Sequence, residues 1–480
     1  MKQKDIKRNY IYNIINQILQ LLVPLVTTPY ISRVLGAEGI GKYSFANSIV
    51  TYFTLFATMG TTNYGQREIS YVQDNREKRS IVLWETKVFS MITAFICSIV
   101  YCIFLSINQF SYIYIILYLN IVSVAFDITW FYQGIEEFDK IVKRNVILKI
   151  LSVCFIFMFV KNKQDLILYV IGITVFSFLG TCSLWIGIRN YIDKPKWESL
   201  RPFRNITIIL GLFIPNIAIE VYTVLDKTML GVLTIGNIEN GYYEQAIKMS
   251  RIPLTIITAL TTVMVPRIGF LFEQGKKEQV REYVYLSYQF VWFLGIPLCF
   301  GMIGIASNVV PWFFGIGFEK VADLLIITSW LILAIGFGSV TGTQYLVPTK
   351  REKAFTFSVI VGAISNFILN LCLIPSLYSL GAAIASVIAE ILVTTVQFIM
   401  VRKEISIKRV LYSGIHYYIA GGIMLILLII ERKYLSASFF NTVFMICSGT
   451  IVYVGILFLL KDEFLLDNIK KLFGKIISKN

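Results

Sequence analysis

Apolar stretches of about 20 residues recur along this chain and constrain its fold more than any other feature of the sequence. A helix needs about 20 mostly apolar residues to cross the hydrocarbon core of a bilayer. With 56% hydrophobic and 15% charged residues, the composition excludes a soluble globular protein. We therefore expect an all-α, multi-pass membrane protein with about 14 transmembrane helices. The fourteen windows are 11–31, 43–65, 83–105, 112–133, 146–161, 166–188, 206–232, 242–266, 284–306, 323–346, 355–374, 380–401, 411–430 and 440–460.

The net charge of +15 follows the predicted topology and does not indicate a nucleic-acid partner. Counted on alternate connections, 33 Lys and Arg residues lie on the side of the two termini, and 7 lie on the opposite side. Basic residues concentrate on the cytoplasmic side of membrane proteins. We therefore expect both termini in the cytoplasm, an even number of spans and no binding of nucleic acid.

Charged side chains at helical spacing interrupt the seventh and eighth windows. The seventh carries a polar face formed by Asn216, Glu220, Thr223 and Lys227, and the eighth carries one formed by Glu244, Lys248, Arg251, Thr255 and Thr258. A charge inside hydrocarbon costs a few kcal/mol, so such residues line water or pair with one another. The pattern predicts a transporter with a wet, partly cationic interior.

Uncharged polar residues form similar faces on the first two windows. These faces consist of Asn13, Gln17 and Gln20 on the first window, and of Asn47, Thr51, Thr54 and Thr58 on the second. One interpretation is that the two faces form one half of the wall of a polar channel. The alternative is hydrogen bonding between neighbouring membrane helices, for which Ser, Thr and Asn are often used.

A short motif occurs twice, six windows apart, and indicates an internal duplication. The first copy is Leu35-Gly36 followed by Gly41-Lys42-Tyr43-Ser44-Phe45-Ala46, and the second is Leu230-Gly231 followed by Gly241-Tyr242-Tyr243-Glu244-Gln245-Ala246. Six spans is an even number, so both copies have the same orientation in the membrane. We expect two six-helix lobes, at 1–200 and 201–405, two extra helices at 406–460, and a basic amphipathic cytoplasmic tail at 461–480.

The charged faces suggest anion binding. Arg251 and Lys227 are suited to a phosphate or pyrophosphate, because a guanidinium group grips phosphate oxygens in a fork and an ammonium acts as a point charge. Glu244 and Lys248, one turn apart, are expected to neutralise each other. The alternative is structural: Lys227 pairs with Glu220, and Arg251 pairs with a carboxylate across the bundle, either Asp127 or Glu390.

Carboxylates deep in the windows are candidates for binding a coupling cation. They are Asp127, Glu220, Glu244 and Glu390. For Asp127, a hydrogen-bonded structural role is an equal alternative. Lys87, near the end of its window, is expected to extend to the membrane interface. The aromatic run Trp130-Phe131-Tyr132 is expected to anchor a helix end at that interface.

The sequence offers no catalytic site. It contains no nucleotide-binding loop, no nucleophile elbow and no paired carboxylates of the DxD type, and its longest outer connection has about sixteen residues. The seven cysteines lie singly in apolar windows, so we expect neither a metal site nor a disulfide framework. A membrane-bound polysaccharide polymerase is the alternative from another class.

Several motifs resemble one family of membrane proteins, the bacterial polysaccharide repeat-unit flippases. These are the O-antigen and capsule exporters of the multidrug/oligosaccharidyl-lipid/polysaccharide superfamily. The similar stretches are Pro29 to Gly36 with Gly39, Gly41 and Tyr43, Trp130 to Glu136, Asp226-Lys227 with Leu230-Gly231, Gln344 to Lys353, and Asn366 through Asn370 to Pro375 and Gly381 to Ala383.

The resemblance implies two six-helix lobes that work by alternating access in the bacterial inner membrane. The implied substrate is an undecaprenyl-pyrophosphate-linked oligosaccharide. Its pyrophosphate would be attracted by four basic residues, Arg33, Lys227, Lys248 and Arg251. The implied coupling ion is H⁺ or Na⁺. No other cofactor is implied, and the implied partners are membrane lipids, a polysaccharide polymerase and chain-length machinery. Two alternatives share this fold, an ion-coupled drug or cation antiporter and a flippase for the peptidoglycan precursor lipid II.

Overall fold

The regular structure of this chain is entirely helical in the part that the computed structural model describes, residues 6–107, 111–468 and 470. A helix lies in each of the fourteen predicted windows, which confirms the all-α class. Within the described part, ten helices are long and apolar enough to cross a membrane. The other four windows lie on α1–α2, α6 and α8, so the count of fourteen spans and the orientation of the termini stay predictions.

The first eight α-helices extend to residue 233. Glycine allows the first of them to change direction at Gly36, where φ is 68° and ψ is 174°, so α1 contains two helices joined at a kink. The helices are α1 Ile6–Thr58, α2 Thr61–Tyr71, α3 Arg76–Ile107, α4 Tyr112–Phe126, α5 Thr129–Gly134, α6 Phe138–Phe159, α7 Leu166–Ser183 and α8 Ile206–Leu233.

Further α-helices follow in the described residues after 233. Trp330–Gly338 continues directly into a π-helix at Ser339–Leu346, so one apolar window contains two helix types. The helices are α9 Ile238–Glu273, α10 Lys277–Phe314, α11 Lys320–Thr328, α12 Trp330–Gly338, α13 Glu352–Leu377, α14 Ser379–Val401, α15 Ile407–Tyr412, α16 Ile415–Tyr434 and α17 Phe439–Leu459.

The chain forms two compact units. The first comprises residues 1–231 and 236–241, and the second comprises 232–235 and 242–480. The first unit thus includes most of α8 and the first turn of α9, whereas the lobes predicted from the motif divide the chain before α8. The lobes at 1–200 and 201–405 and the segments 406–460 and 461–480 stay predictions, and most of the tail lies outside the described residues.

The aromatic run after α4 lies in the core of the first unit, so its predicted place at the membrane interface is wrong. Trp130, Phe131 and Tyr132 are almost fully buried among residues of α2, α3 and the segment after α7. The Tyr132 hydroxyl donates to the carbonyl of Leu184. Burial here follows from tertiary packing, which an aromatic run does not reveal by itself.

The last two long helices pack on α10 in the second unit. The indole N–H of Trp292 donates to the carbonyl of Val410 at 2.8 Å, and the hydroxyl of Tyr453 donates to the carbonyl of Phe293 at 2.9 Å. These bonds join α10 to the short helix α15 and to α17. Helices α15 to α17 are therefore integral to the second unit.

Candidate functional site

The two copies of the repeated motif contact each other through their glycines. A Cβ atom on Gly41 would lie 1.7 Å from the carbonyl oxygen of Asn237, and one on Gly241 would lie 1.9 Å from that of Ala37. Each glycine thus lies against the carbonyl four residues before the other glycine. The contact is pseudo-symmetric, main chain against main chain, and agrees with the predicted duplication.

In the second unit, the charged face of α9 begins with an ion pair. The Lys248 ammonium lies 3.1 Å from Oε1 of Glu244, whose side chain is only 9% exposed. The predicted neutralisation of Glu244 by Lys248 is therefore confirmed. Pairing keeps a buried carboxylate ionised at low energetic cost.

Arg251 lies one turn further along α9 and has an exposed side chain. Its guanidinium makes no ion pair and no hydrogen bond with any described residue of its own unit, Glu390 on α14 included, so the alternative pairing with Glu390 is not formed. The hydroxyl of Thr255 donates to the main-chain carbonyl of Arg251 at 2.9 Å. Its five N–H donors are available to an anion.

The first unit holds the other two predicted pyrophosphate ligands. Arg33 is exposed on α1, just before the kink, and Lys227 is half-buried on α8. The side chain of Asn240 donates to the carbonyl of Lys227 at 2.9 Å. Lys227 forms no ion pair with Glu220, whose side chain is described and exposed. The alternative pairing of Lys227 with Glu220 is therefore not formed. A joint site of Arg33 and Lys227 with Lys248 and Arg251 stays a prediction.

The polar face on the second half of α1 is half-buried, and its hydroxyls bond within the helix. Thr51 donates to the carbonyl of Asn47 at 2.7 Å, and Thr54 donates to that of Thr51 at 2.9 Å. Thr223 on α8 does the same toward Glu220 at 3.0 Å. These protons are therefore not used to hold neighbouring helices, while the hydroxyl oxygens can still accept from a ligand. Asn13, Gln17, Gln20 and Asn216 lie outside the side chains that the structure describes.

A small cavity of about 130 Å³ lies inside the first unit beside Asp127. The α4 helix ends at this aspartate, whose Oδ1 accepts from the main-chain N–H of Thr129 at 2.9 Å and from its hydroxyl at 2.5 Å. Besides Asp127, its lining residues include six that carry a hydroxyl group, Thr58, Thr61, Thr62, Ser90, Ser123 and Thr181. A carboxylate among hydroxyl oxygens offers the hard ligands that a small cation prefers.

Lys87 borders the same region and was misjudged from the sequence. It is fully buried, and its ammonium donates to the main-chain carbonyls of Val124 at 3.1 Å and of Asp127 at 2.9 Å. The prediction that it extends to the membrane interface is wrong. Its acceptors are carbonyls at the end of α4, and a carbonyl partner leaves no trace in the sequence.

Sequence reasoning also missed the role of the connection after the π-helix. Arg351 forms a fork with Glu404, with N–O distances of 3.0 and 2.7 Å, and the hydroxyl of Tyr345 donates to the same carboxylate at 2.6 Å. Burial acts to raise the pKa of Glu404, but the hydrogen bonds from Tyr345 and Arg351 outweigh it and leave the pKa below its ordinary value. This ion pair joins the connection to the end of α14.

Comparison with known sequences gives a family and two relatives, one of which matches over most of its length. Residues 6–272 match the family described as "Polysaccharide biosynthesis protein". A protein of Escherichia coli (strain K12) named "Putative O-antigen transporter" is 23% identical over 409 residues, which are 83% of this chain and 97% of that protein. The lipid II flippase MurJ of Bacillus subtilis (strain 168) is 23% identical over 232 residues, 48% of this chain and 37% of its own.

Comparison with solved structures gives the fold. A structure of the lipid II flippase MurJ in an inward closed conformation has a TM-score of 0.74 at 17% identity and covers 96% of this chain and 100% of its own. An inward-facing multidrug resistance transporter of the MATE family has a TM-score of 0.57 at 13% identity, with 82% and 98% covered. The chain therefore has the fold of these transporters, and the matched proteins are named as transporters and flippases rather than as enzymes.

Proposed function

Since this chain belongs to the polysaccharide biosynthesis protein family, we propose that it is a flippase for lipid-linked oligosaccharide units. It moves these units from the inner to the outer leaflet of the bacterial cell membrane, by alternating access, for the synthesis of a surface polysaccharide such as O-antigen or capsule. The lipid carrier that we propose is undecaprenyl pyrophosphate. A polysaccharide polymerase and chain-length machinery are the proposed downstream partners.

The observation that carries the proposal is Arg251. A guanidinium group that faces hydrocarbon without a partner costs several kcal/mol, so its presence on a membrane helix requires a compensating anion or water. Lys248, half-exposed and already paired with Glu244, adds little net charge of its own. A pyrophosphate matches Arg251, because two of its oxygens can accept from one guanidinium in a fork.

The polar face of α1 supports the sugar half of the proposal. The hydroxyls of Thr51 and Thr54 give their protons to their own helix, so their oxygens act as acceptors toward a ligand. Sugar hydroxyls supply many donors. We propose that this face, with Asn47 and the residues of the first window, receives the glycan, while the bases of α9 receive the pyrophosphate.

Coupling to a proton or a sodium ion is also part of the proposal. Among the four carboxylate candidates, Glu244 is committed to Lys248 and Glu220 is exposed. Asp127 lies beside a cavity lined by hydroxyl groups, which gives an ion a set of oxygen ligands. We therefore propose Asp127 as the first residue to test for ion coupling, with Glu390 second.

The proposal is tested in a strain that lacks its own repeat-unit flippase. Wild-type protein is expected to restore polymer at the cell surface, and the double variant Lys248→Ala, Arg251→Ala is expected to remain in the membrane without restoring it. The matched control is Lys276→Ala with Lys277→Ala, which removes two charges at the start of α10. Wild-type polymer in the Arg251 double variant would remove these residues from the site.

Two rivals give different results in related assays. A drug or cation antiporter would show efflux that Arg251→Ala leaves unchanged and Glu220→Gln abolishes. A lipid II flippase would rescue growth of a strain that lacks its peptidoglycan-precursor flippase. Elongation of lipid-linked sugars by the purified protein would instead indicate a polymerase and would contradict the transporter proposal.

A further inference from the structure

A polar groove of about 620 Å³ lies in the second unit, at the opposite end of α9 from its charged face. Its floor is one face of α10, formed by Gln279, Glu282, Leu286 and Gln289, which recur at steps of three or four residues. The connections that border it belong to the side rich in Lys and Arg, which the charge distribution predicts to be cytoplasmic.

Each wall of the groove is an arginine stacked on a tyrosine. Arg267, near the end of α9, lies with its guanidinium carbon 5.3 Å from the centre of the Tyr283 ring, and Arg409 of α15 lies 4.3 Å from the centre of the Tyr285 ring. Tyr283 and Tyr285 flank the floor because they are two positions apart on the helix.

Hydrogen bonds hold the two stacks in place. The Tyr285 hydroxyl accepts from the main-chain N–H of Ser406 at 2.9 Å, and the Tyr283 hydroxyl accepts from Arg267 at 3.3 Å. Among the described residues, neither Arg267 nor Arg409 forms an ion pair with a carboxylate. A guanidinium that lies over a ring and pairs with no carboxylate keeps N–H donors available for a phosphate group.

The floor adds a charge opposite to those of the two arginines. Glu282 is exposed and lines the groove without an ion pair to a described residue. Leu286 beside it is also exposed and offers an apolar surface to a lipid chain. Two cations and one anion in the same groove complement a headgroup that carries both a phosphate and an amine. Basic pockets between membrane helices on the cytoplasmic side are known to hold lipid headgroups.

We propose that this groove binds a phospholipid whose headgroup joins a phosphate to a primary amine, such as phosphatidylethanolamine. The phosphate lies between Arg267 and Arg409, and the ammonium lies on Glu282. The site is separate from the cargo and does not depend on the proposed transport function, so its test measures binding and not flipping.

The test is native mass spectrometry of the purified full-length protein with added lipid. We expect phosphatidylethanolamine adducts on the wild type, at least a fivefold loss of them in Arg267→Gln with Arg409→Gln, and little loss in the control Arg281→Gln. The control removes a charge from α10, the helix that forms the floor, where Arg281 pairs with Glu278 at the surface. The milder pair Arg267→Lys with Arg409→Lys is expected to lose adducts partially, which keeps the test valid if the glutamine variant does not fold.

Further measurements test the binding of the amine and of the phosphate separately. Glu282→Gln is expected to weaken phosphatidylethanolamine adducts and to leave phosphatidylglycerol adducts unchanged, and an equal effect on both lipids would overturn the assignment of the amine. Adducts of diacylglycerol, which has no phosphate, that match those of phosphatidylethanolamine would overturn the assignment of the phosphate. Displacement of the lipid by inorganic phosphate would assign the arginines to a soluble anion and overturn the lipid proposal.

Discussion

Two segments of this chain share a motif and differ in charge. Residues 37–58 in the second half of α1 and residues 237–258 at the start of α9 align through Gly41 and Gly241, an offset of 200 positions. At this offset, Ser44 corresponds to Glu244, Ser48 to Lys248 and Thr51 to Arg251. At these three positions the segment in α1 has a hydroxyl where the segment in α9 has a charge.

The comparison shows which properties a duplication keeps and which it changes. The contact at Gly41 and Gly241 uses the main chain of both copies in the same way. Beyond that contact, Thr51 bonds to its own helix, while Arg251 has an exposed guanidinium. Shared backbone geometry thus carries two kinds of chemistry, which suits a cargo with a neutral sugar part and an anionic phosphate part.

The largest expected effect comes from filling the glycine contact. Gly41→Ala and Gly241→Ala each place a methyl group less than 2 Å from a main-chain oxygen, which no side-chain movement can relieve. Overpacking costs about 1–3 kcal/mol, and we expect both variants to reach the upper end of that range in thermal unfolding. Unequal losses would contradict the pseudo-symmetry of the contact. Gly422→Ala on α16, where a Cβ meets nothing within 4 Å, is the control.

The second largest expected effect comes from breaking the ion pair between Glu244 and Lys248 on α9. Lys248→Ser supplies the residue found at the matching place in α1 and leaves Glu244 buried without its partner. We expect a loss of stability of about 2 kcal/mol, since an unpaired buried charge keeps its full desolvation cost. Adding Glu244→Ser, which matches Ser44, is expected to recover most of that loss. Additive losses in this double-mutant cycle, measured by thermal unfolding, would show that the pair is not coupled.

A smaller effect is expected from making Arg251 resemble its counterpart. Arg251→Thr removes a charge that is exposed and unpaired within its unit, so the unfolding temperature should stay unchanged. Transport of a lipid pyrophosphate in proteoliposomes is expected to fall about tenfold, which corresponds to about 1.4 kcal/mol of lost interaction. The control is Arg402→Thr in the connection after α14. Equal transport by both variants would show that Arg251 does not bind the cargo.

The smallest effect is expected in α1. Thr51→Val and Thr54→Val each remove a hydroxyl whose proton bonds to the same helix, a bond that adds little to helix stability. We expect changes below about 0.5 kcal/mol in thermal unfolding. Transport should fall only for cargo whose sugars use these oxygens. A large destabilisation would mean that these hydroxyls join helices, as the alternative interpretation of this face held.

The fold was predictable from sequence to the extent that hydropathy determines it. Every apolar window contains a helix, because a backbone in lipid must satisfy its own hydrogen bonds. Hydropathy did not reveal where a window is interrupted. The window at 112–133 breaks after Phe126, where Asp127 bonds to Thr129 and ends α4. Nor did it separate the buried Trp130 from an aromatic residue at an interface.

For the candidate site, sequence was informative only about local pairs. Glu244 and Lys248 are one turn apart, so their ion pair follows from helix geometry alone. The partners of Lys87 are carbonyls about forty residues away, and those of Arg351 include Glu404 across the unit. Such contacts depend on packing between helices. Helical spacing identifies which residues share a face, but it does not identify what that face contacts.

The buried lysine in α3 has a consequence for how the protein is made. Lys87 finds its acceptors only at the end of α4, so a nascent chain that stops after α3 holds an ammonium in hydrocarbon without a partner. Such a charge costs about 2.5–3.5 kcal/mol during insertion. We therefore expect α3 and α4 to enter the membrane together as a hairpin. A chain truncated before α4 should insert α3 less completely than one that extends through Asp127, and Lys87→Leu should abolish this difference.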